Sequence, residues 1–166
     1  MATVSPGWGY ALHLPHDPRA PRIARTTLRA VLGSHGMGSL IDIAELLAGE
    51  LVTNAYQHTE GPAELRLREL AGRLRISVWD TDPVIPPLFH GRACSGGRPV
   101  PLPVHVDADA NAESGRGLEL VRLCADDWGG YRLGDDIFGV NGKLLWFELA
   151  RPPAAASRAG GFTIAA

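Results

Sequence analysis

The sequence predicts an α+β domain, because strand-like and helix-like hydrophobic patterns occupy separate stretches of the chain. They follow one another as strand, helix, helix, strand pair, helix and strand pair, and a proline-rich stretch separates the two pairs. With 166 residues, 45% of them hydrophobic, the chain can bury one sizeable core, and a single domain is expected. The formal net charge of -2 comes from interspersed residues of both signs, which argues against nucleic acid or an anionic membrane as a partner. No run approaches the roughly 18 apolar residues of a membrane span, and the N-terminus lacks a signal-peptide layout, so a cytoplasmic location is expected. Cys94 and Cys124 are then expected to be reduced thiols. His90 and His105 flank Cys94 without the spacing of a structural zinc site.

Residues 1–7 are expected to be a flexible N-terminus, 8–150 the domain, and 151–166, rich in Pro, Ala and Gly, a flexible tail. Trp8, Tyr10, Leu12 and Leu14 alternate with Gly9, Ala11 and His13, the period-2 pattern of a strand. Asp17-Pro18 reads as the start of a helix, Asp capping and Pro at the first helical position. Ile23, Ala24, Thr27, Leu28, Val31 and Leu32 form its buried stripe, and Gly33 and Gly36 close it. Arg19, Arg22, Arg25 and Arg29 mark either a solvated face or a docking surface for an acidic partner.

A second helix is expected from Ser39, where Ser39 and Asp42 have capping-box spacing, to Gly61-Pro62. Its stripe is Leu40, Ile43, Ala44, Leu47, Leu51 and Ala55. Strands follow at Ala63 to Leu70 and Leu74 to Asp80, joined through Ala71-Gly72. Prolines 83, 86, 87, 99, 101 and 103 then exclude a long regular element, and residues 84–113 are expected to form a mobile lid. Glu113 to Leu118 is read as a glycine-rich loop entering a helix with Leu118, Val121, Ala125 and Trp128 on one side. Trp128 to Leu133 and Lys143 to Leu149 read as the last strand pair, with a turn at Asn141-Gly142.

Four features carry chemistry. Glu50 and Asn54 lie one helical turn apart, about 6 Å along the axis, so they share a face. A carboxylate and a neutral amide oxygen so placed suit a metal-nucleotide, although two solvated polar residues would have the same spacing. Asp80 has the parity of Leu74, Ile76 and Val78, so it points to the apolar face, where it needs a donor. An adenine amino group would serve, and so would the following turn. Gly115, Arg116 and Gly117 open a helix, where backbone N–H groups can meet a phosphate. Lys143 shares the inward parity of Leu145, Phe147 and Leu149, and either reaches a phosphate or starts its strand.

No GxxxxGK[ST] loop is present. Taken together, Glu50-Leu51-Val52-Thr53-Asn54-Ala55 with His58-Thr59, Glu113-Ser114-Gly115-Arg116-Gly117-Leu118, Trp128-Gly129, and Gly142-Lys143 with Trp146-Phe147-Glu148-Leu149 resemble the GHKL ATPase/kinase superfamily, the Bergerat fold. Within it the chain looks most like the anti-sigma-factor serine kinases. That resemblance implies a two-layer α/β sandwich, helices over a mixed, mainly antiparallel sheet, with ATP beneath the lid. It implies Glu50 as general base, Asn54 on Mg²⁺, Asp80 on the adenine amino group, and Gly115 and Gly117 around the phosphates, with Arg116 lending charge. It further implies a sigma factor and an anti-sigma-factor antagonist as partners, and a homodimer through the first strand and helix. The superfamily's glycines after the adenine-binding Asp are replaced here by Asp80-Thr81-Asp82-Pro83, which restricts that loop.

Overall fold

The computed structural model describes residues 7–90, 114–133 and 141–152. The chain alternates as β1 (Trp8–Leu14), α1 (Ala20–Ser34), α2 (Ile41–His58), β2 (Ala63–Leu70), β3 (Arg73–Asp80), α3 (Ser114–Cys124), β4 (Asp127–Leu133) and β5 (Gly142–Ala150). Short 3-10 turns lie at Gly38–Leu40 and Pro87–Phe89. In the sheet the strands are ordered β1-β2-β3-β5-β4, and every pairing among the described strands is antiparallel. The α+β class is the one expected, without the parallel component that a mixed sheet would have.

Helix α2 is the centre of the molecule: it lies on β2 and β3, and both α1 and α3 pack on it. Leu65, Leu67, Leu74, Ile76, Val78, Leu145, Phe147 and Leu149 alternate along their strands and face Leu47, Leu51 and Ala55 of α2 in one buried cluster. Ala24, Leu28 and Leu32 of α1 are wholly buried against that cluster, each leucine contributing about 1.5–3 kcal/mol by leaving water. Across the two helices Arg25 lies over Gly49 and Arg29 pairs with Glu45, so α1 and α2 run antiparallel. The arginine-rich face is therefore partly engaged within the fold, with Arg19 on Asp17 and Arg29 on Glu45. On the opposite face of the sheet Glu148 bonds Arg73 and Arg75, and the Arg75 guanidinium lies 4.1 Å over the Trp146 ring.

Local chemistry explains where element ends match the sequence and where they shift. The β2–β3 turn takes positive φ at Ala71 (53°) and Gly72 (79°), the two-residue hairpin geometry whose twist fits the strands. Asp17 does accept the Arg19 N–H at 2.7 Å, as a cap would, yet the regular helix begins only at Ala20 with Pro21 in its first turn. Helix α2 starts at Ile41 rather than Ser39, because the 3-10 turn Gly38–Leu40 intervenes and buries Leu40. No side-chain cap forms there, so the Ser39–Asp42 capping box is absent. Gly142 is the first residue of β5, paired with Leu133, and not part of a turn.

The start of the expected lid is better packed than its prolines suggest. Ile85 and Phe89 are buried in the main cluster, and the Phe89 ring meets Trp128 edge-on at 5.4 Å. Pro87 opens the 3-10 turn, where its missing N–H removes no bond. Residues 91–113, the rest of the expected lid, and residues 1–6 and 153–166 lie outside the described residues.

Candidate functional site

The C-terminal half of α2 brings the predicted residues together. Glu50 is half-buried, and its carboxylate presses against Gly117 in the first turns of α3. A Cβ at Gly117 would overlap Glu50 Oε2, so only glycine admits that carboxylate next to the helix. Gly115, Arg116 and Gly117 all lie within α3, which among the described residues begins at Ser114. The glycine-rich stretch is thus the helix's N-terminal part rather than a loop ahead of it, and the Arg116 side chain is exposed.

One turn beyond Glu50, Asn54 is buried at 5% exposure, and its Oδ1 has no hydrogen-bond partner among the described residues. A buried amide oxygen without a donor is uncommon and unfavourable, typically by about 1–3 kcal/mol. A hard cation would satisfy it. The atom type, its burial and its vacancy of partners all fit an oxygen ligand for Mg²⁺, with Glu50 on the same helical face. Among the described residues no cluster of three His, Cys, Asp or Glu side chains could hold a metal by itself, so such an ion would bring other oxygens with it, as a nucleotide-bound one does.

Past the C-terminus of α2 lies the second half of the site. Asp80 ends β3 at 1% exposure, on the inner face that its parity predicts. The donor it needs is supplied within the chain. Lys143, paired with it across β3 and β5 and equally buried, places Nζ 3.0 Å from Asp80 Oδ1 and 2.9 Å from Asp82 Oδ2. The Asp82 N–H also donates to Asp80 Oδ1 at 2.9 Å, so the turn-capping role and the ion pair coexist. Lys143, expected to reach a phosphate or to start its strand, is the buried cation of a three-residue ion cluster with buried Asp80 and partly buried Asp82. Asp82 escaped notice in the sequence, although an Asp-Thr-Asp-Pro turn after an inward strand end is a visible sign of it.

The electrostatics of the cluster follow from its burial. Desolvation pushes the Asp80 carboxyl up, and the Lys143 bond and charge only partly offset this. Asp82 is also desolvated, but its bond from Lys143, the Val84 N–H and the charge of His58 hold its carboxyl below the ordinary carboxylate value. His58 closes α2, so this influence ties the ion cluster to the helix that carries Glu50 and Asn54. Gly142 completes the junction: with φ at 149° it lies against the Asp80 carbonyl, and a Cβ there would also come within 3.0 Å of Trp79 Nε1.

An unsatisfied metal-type ligand beside a carboxylate, a glycine-lined helix start and a buried acidic strand end form a coherent nucleotide-type site. No curated protein matches the chain. The family model described as the histidine kinase-like ATPase domain matches residues 14–140, which include every one of these residues except Gly142 and Lys143. The chain therefore belongs to the histidine kinase-like ATPase domain family.

Proposed function

We propose that the protein is a Mg-ATP-dependent serine/threonine protein kinase that acts as an anti-sigma factor or related partner-switching regulator, phosphorylating an anti-sigma-factor antagonist in the cytoplasm. One observation carries this reading: the Glu50 carboxylate is held against Gly117 one turn from the unpartnered Asn54 Oδ1. Nucleotide binding alone needs a metal ligand and a base-reading group. It does not need a carboxylate fixed beside the helix start where phosphates gather.

Asn54 would hold Mg²⁺, which when bound neutralises charge on the phosphate oxygens. Gly115 and Gly117 would let the phosphates approach the backbone of α3, and the exposed Arg116 would add positive charge at the rim. Asp80 would accept from the adenine amino group. Glu50 would take the proton of a partner's serine or threonine hydroxyl as its oxygen bonds to the γ-phosphorus, the bond to the bridging oxygen breaks and ADP leaves. A homodimer through β1 and α1 fits the same reading, since β1 is an edge strand with Tyr10 48% exposed.

Glu50→Gln separates the kinase from a catalytically silent nucleotide- or protein-binding module. Calorimetry should give Mg-ATP affinity within about threefold of the wild type, while phosphoryl transfer to an antagonist-class protein falls by about 10²–10⁴. Wild-type protein that binds Mg-ATP and transfers nothing to any such substrate would leave the silent module as the better description.

A further inference from the structure

The unexpected feature of the site is the lysine on its acidic end, and it bears on which nucleobase the site takes. This step rests on the reading above, in which Asp80 meets the base. Both groups that reach Asp80 converge on one oxygen, Lys143 Nζ at 3.0 Å and the Asp82 N–H at 2.9 Å, each on Oδ1. Among the described residues no hydrogen bond reaches Oδ2. Lys143 is itself anchored from a second side by Asp82, through Oδ2 at 2.9 Å and the carbonyl at 3.4 Å. Both strands that carry the pair are hydrogen-bonded across it, so neither end moves independently.

We propose that Lys143 is a positioning residue for base selection: by occupying Asp80 Oδ1 it leaves Oδ2 as the sole acceptor, which suits the single amino donor of adenine and disfavours guanine. Guanine offers two adjacent donors, N1–H and the 2-amino group, which a carboxylate satisfies with both oxygens at once. With Oδ1 taken, one guanine donor is buried unpaired, and the Lys143 ammonium cannot accept it. Adenine has no second donor on that edge, and its loss is nil. A lysine that merely neutralised the strand end would have no effect on which base binds.

The test is calorimetry of the full chain with Mg-ADP and Mg-GDP, on the wild type, Lys143→Met, Asp80→Asn and the double variant. Methionine keeps the buried stem and removes the ammonium. The wild type should prefer ADP by about 10-fold or more, the discrimination expected of one buried donor left unpaired beside a charged group. Lys143→Met should narrow that preference several-fold, and in the Asp80→Asn background the same change should have no further effect on it, since Lys143 acts through Asp80. The ADP affinity of Lys143→Met should also rise with pH more than that of the wild type, because burial and the Asp82 charge then raise the Asp80 carboxyl further without the cation. His58 and the other groups facing the cluster are the same in both proteins, which isolates the Lys143 contribution.

The outcomes are distinct. Equal wild-type affinity for ADP and GDP overturns the proposal, and it needs no variant to fold. A Lys143→Met protein that melts cooperatively and keeps the wild-type ratio overturns it too, while leaving the adenine reading of Asp80 intact. If Asp80→Asn leaves both affinities unchanged, the underlying reading of Asp80 falls, and this proposal with it.

Discussion

The two walls of the site are satisfied in opposite ways. On the sheet side, Asp80, Asp82 and Lys143 complete one another within the chain, and Gly142 closes against backbone. On the helix side, Asn54 Oδ1 is buried with no donor among the described residues, and Gly117 closes against the end of the Glu50 side chain. The sheet wall is paired within the chain except at Asp80 Oδ2, which no hydrogen bond reaches among the described residues. The helix wall is not so paired, and this contrast separates residues that hold the fold from residues that wait for a substrate.

The two glycines give the largest expected effect. Gly142→Ala places a Cβ in the Asp80 carbonyl at φ 149°, where neither partner can yield. It should lower stability by about 3 kcal/mol or more in urea unfolding, through backbone strain and overpacking together. Gly117→Ala meets only the far end of Glu50, which can rotate away. Its unfolding free energy should stay within about 1 kcal/mol of wild type, while phosphoryl transfer falls at least about tenfold because Glu50 is displaced. Equal destabilisation by both would mean that the helix wall is as rigid as the sheet wall.

The same contrast marks what the sequence made legible. Parity alone put Asp80 on the buried face, and helical spacing alone put Glu50 and Asn54 together, because both are local, periodic properties. The hairpin at Ala71-Gly72 was legible for the same reason. Lys143 on Asp80 was not, since it depends on a β3–β5 register between residues 63 positions apart, which no local pattern encodes. Ile85 and Phe89 were concealed by their prolines: the stretch has no period, yet two apolar side chains are enough to fasten it to Trp128 and the core. The start of α2 shifted because burial of Leu40 in a 3-10 turn outweighed the capping preference of Ser39, a tertiary effect overriding a local one.

Asn54 is the sharper test of the comparison, with a smaller magnitude and two opposite signs. Replacing it by leucine removes an unsatisfied buried oxygen and keeps the branched outline of the side chain. In the absence of nucleotide Asn54→Leu should raise stability by about 1 kcal/mol, the trade of function for stability expected at an unsatisfied site residue. Mg-ATP should no longer raise its melting temperature, whereas for wild type that rise grows with ligand concentration. A destabilised, ligand-free Asn54→Leu protein would mean that Oδ1 is already satisfied in solution and that the helix wall is as complete as the other.

The smallest effect lies outside both walls, at the entry to α1. Asp17 is held at about 2, first by the Arg19 guanidinium bond and then by the Arg19 N–H, against an ordinary value of 3.8. A depressed folded-state value means that the unfolded chain binds the proton more readily. The stability that Asp17 adds is therefore fully present above about pH 4 and is lost as the pH falls toward about 2. Asp17→Asn keeps the shape but not the charge, so its melting temperature should lie slightly below wild type at pH 7, by no more than about 3 °C. Because Arg19 is exposed and Asp17 only partly buried, salt should narrow the gap, and acid should close it. A gap that persists unchanged at pH 2 would assign the effect to the shape of the turn before Ala20 rather than to the charge of Asp17.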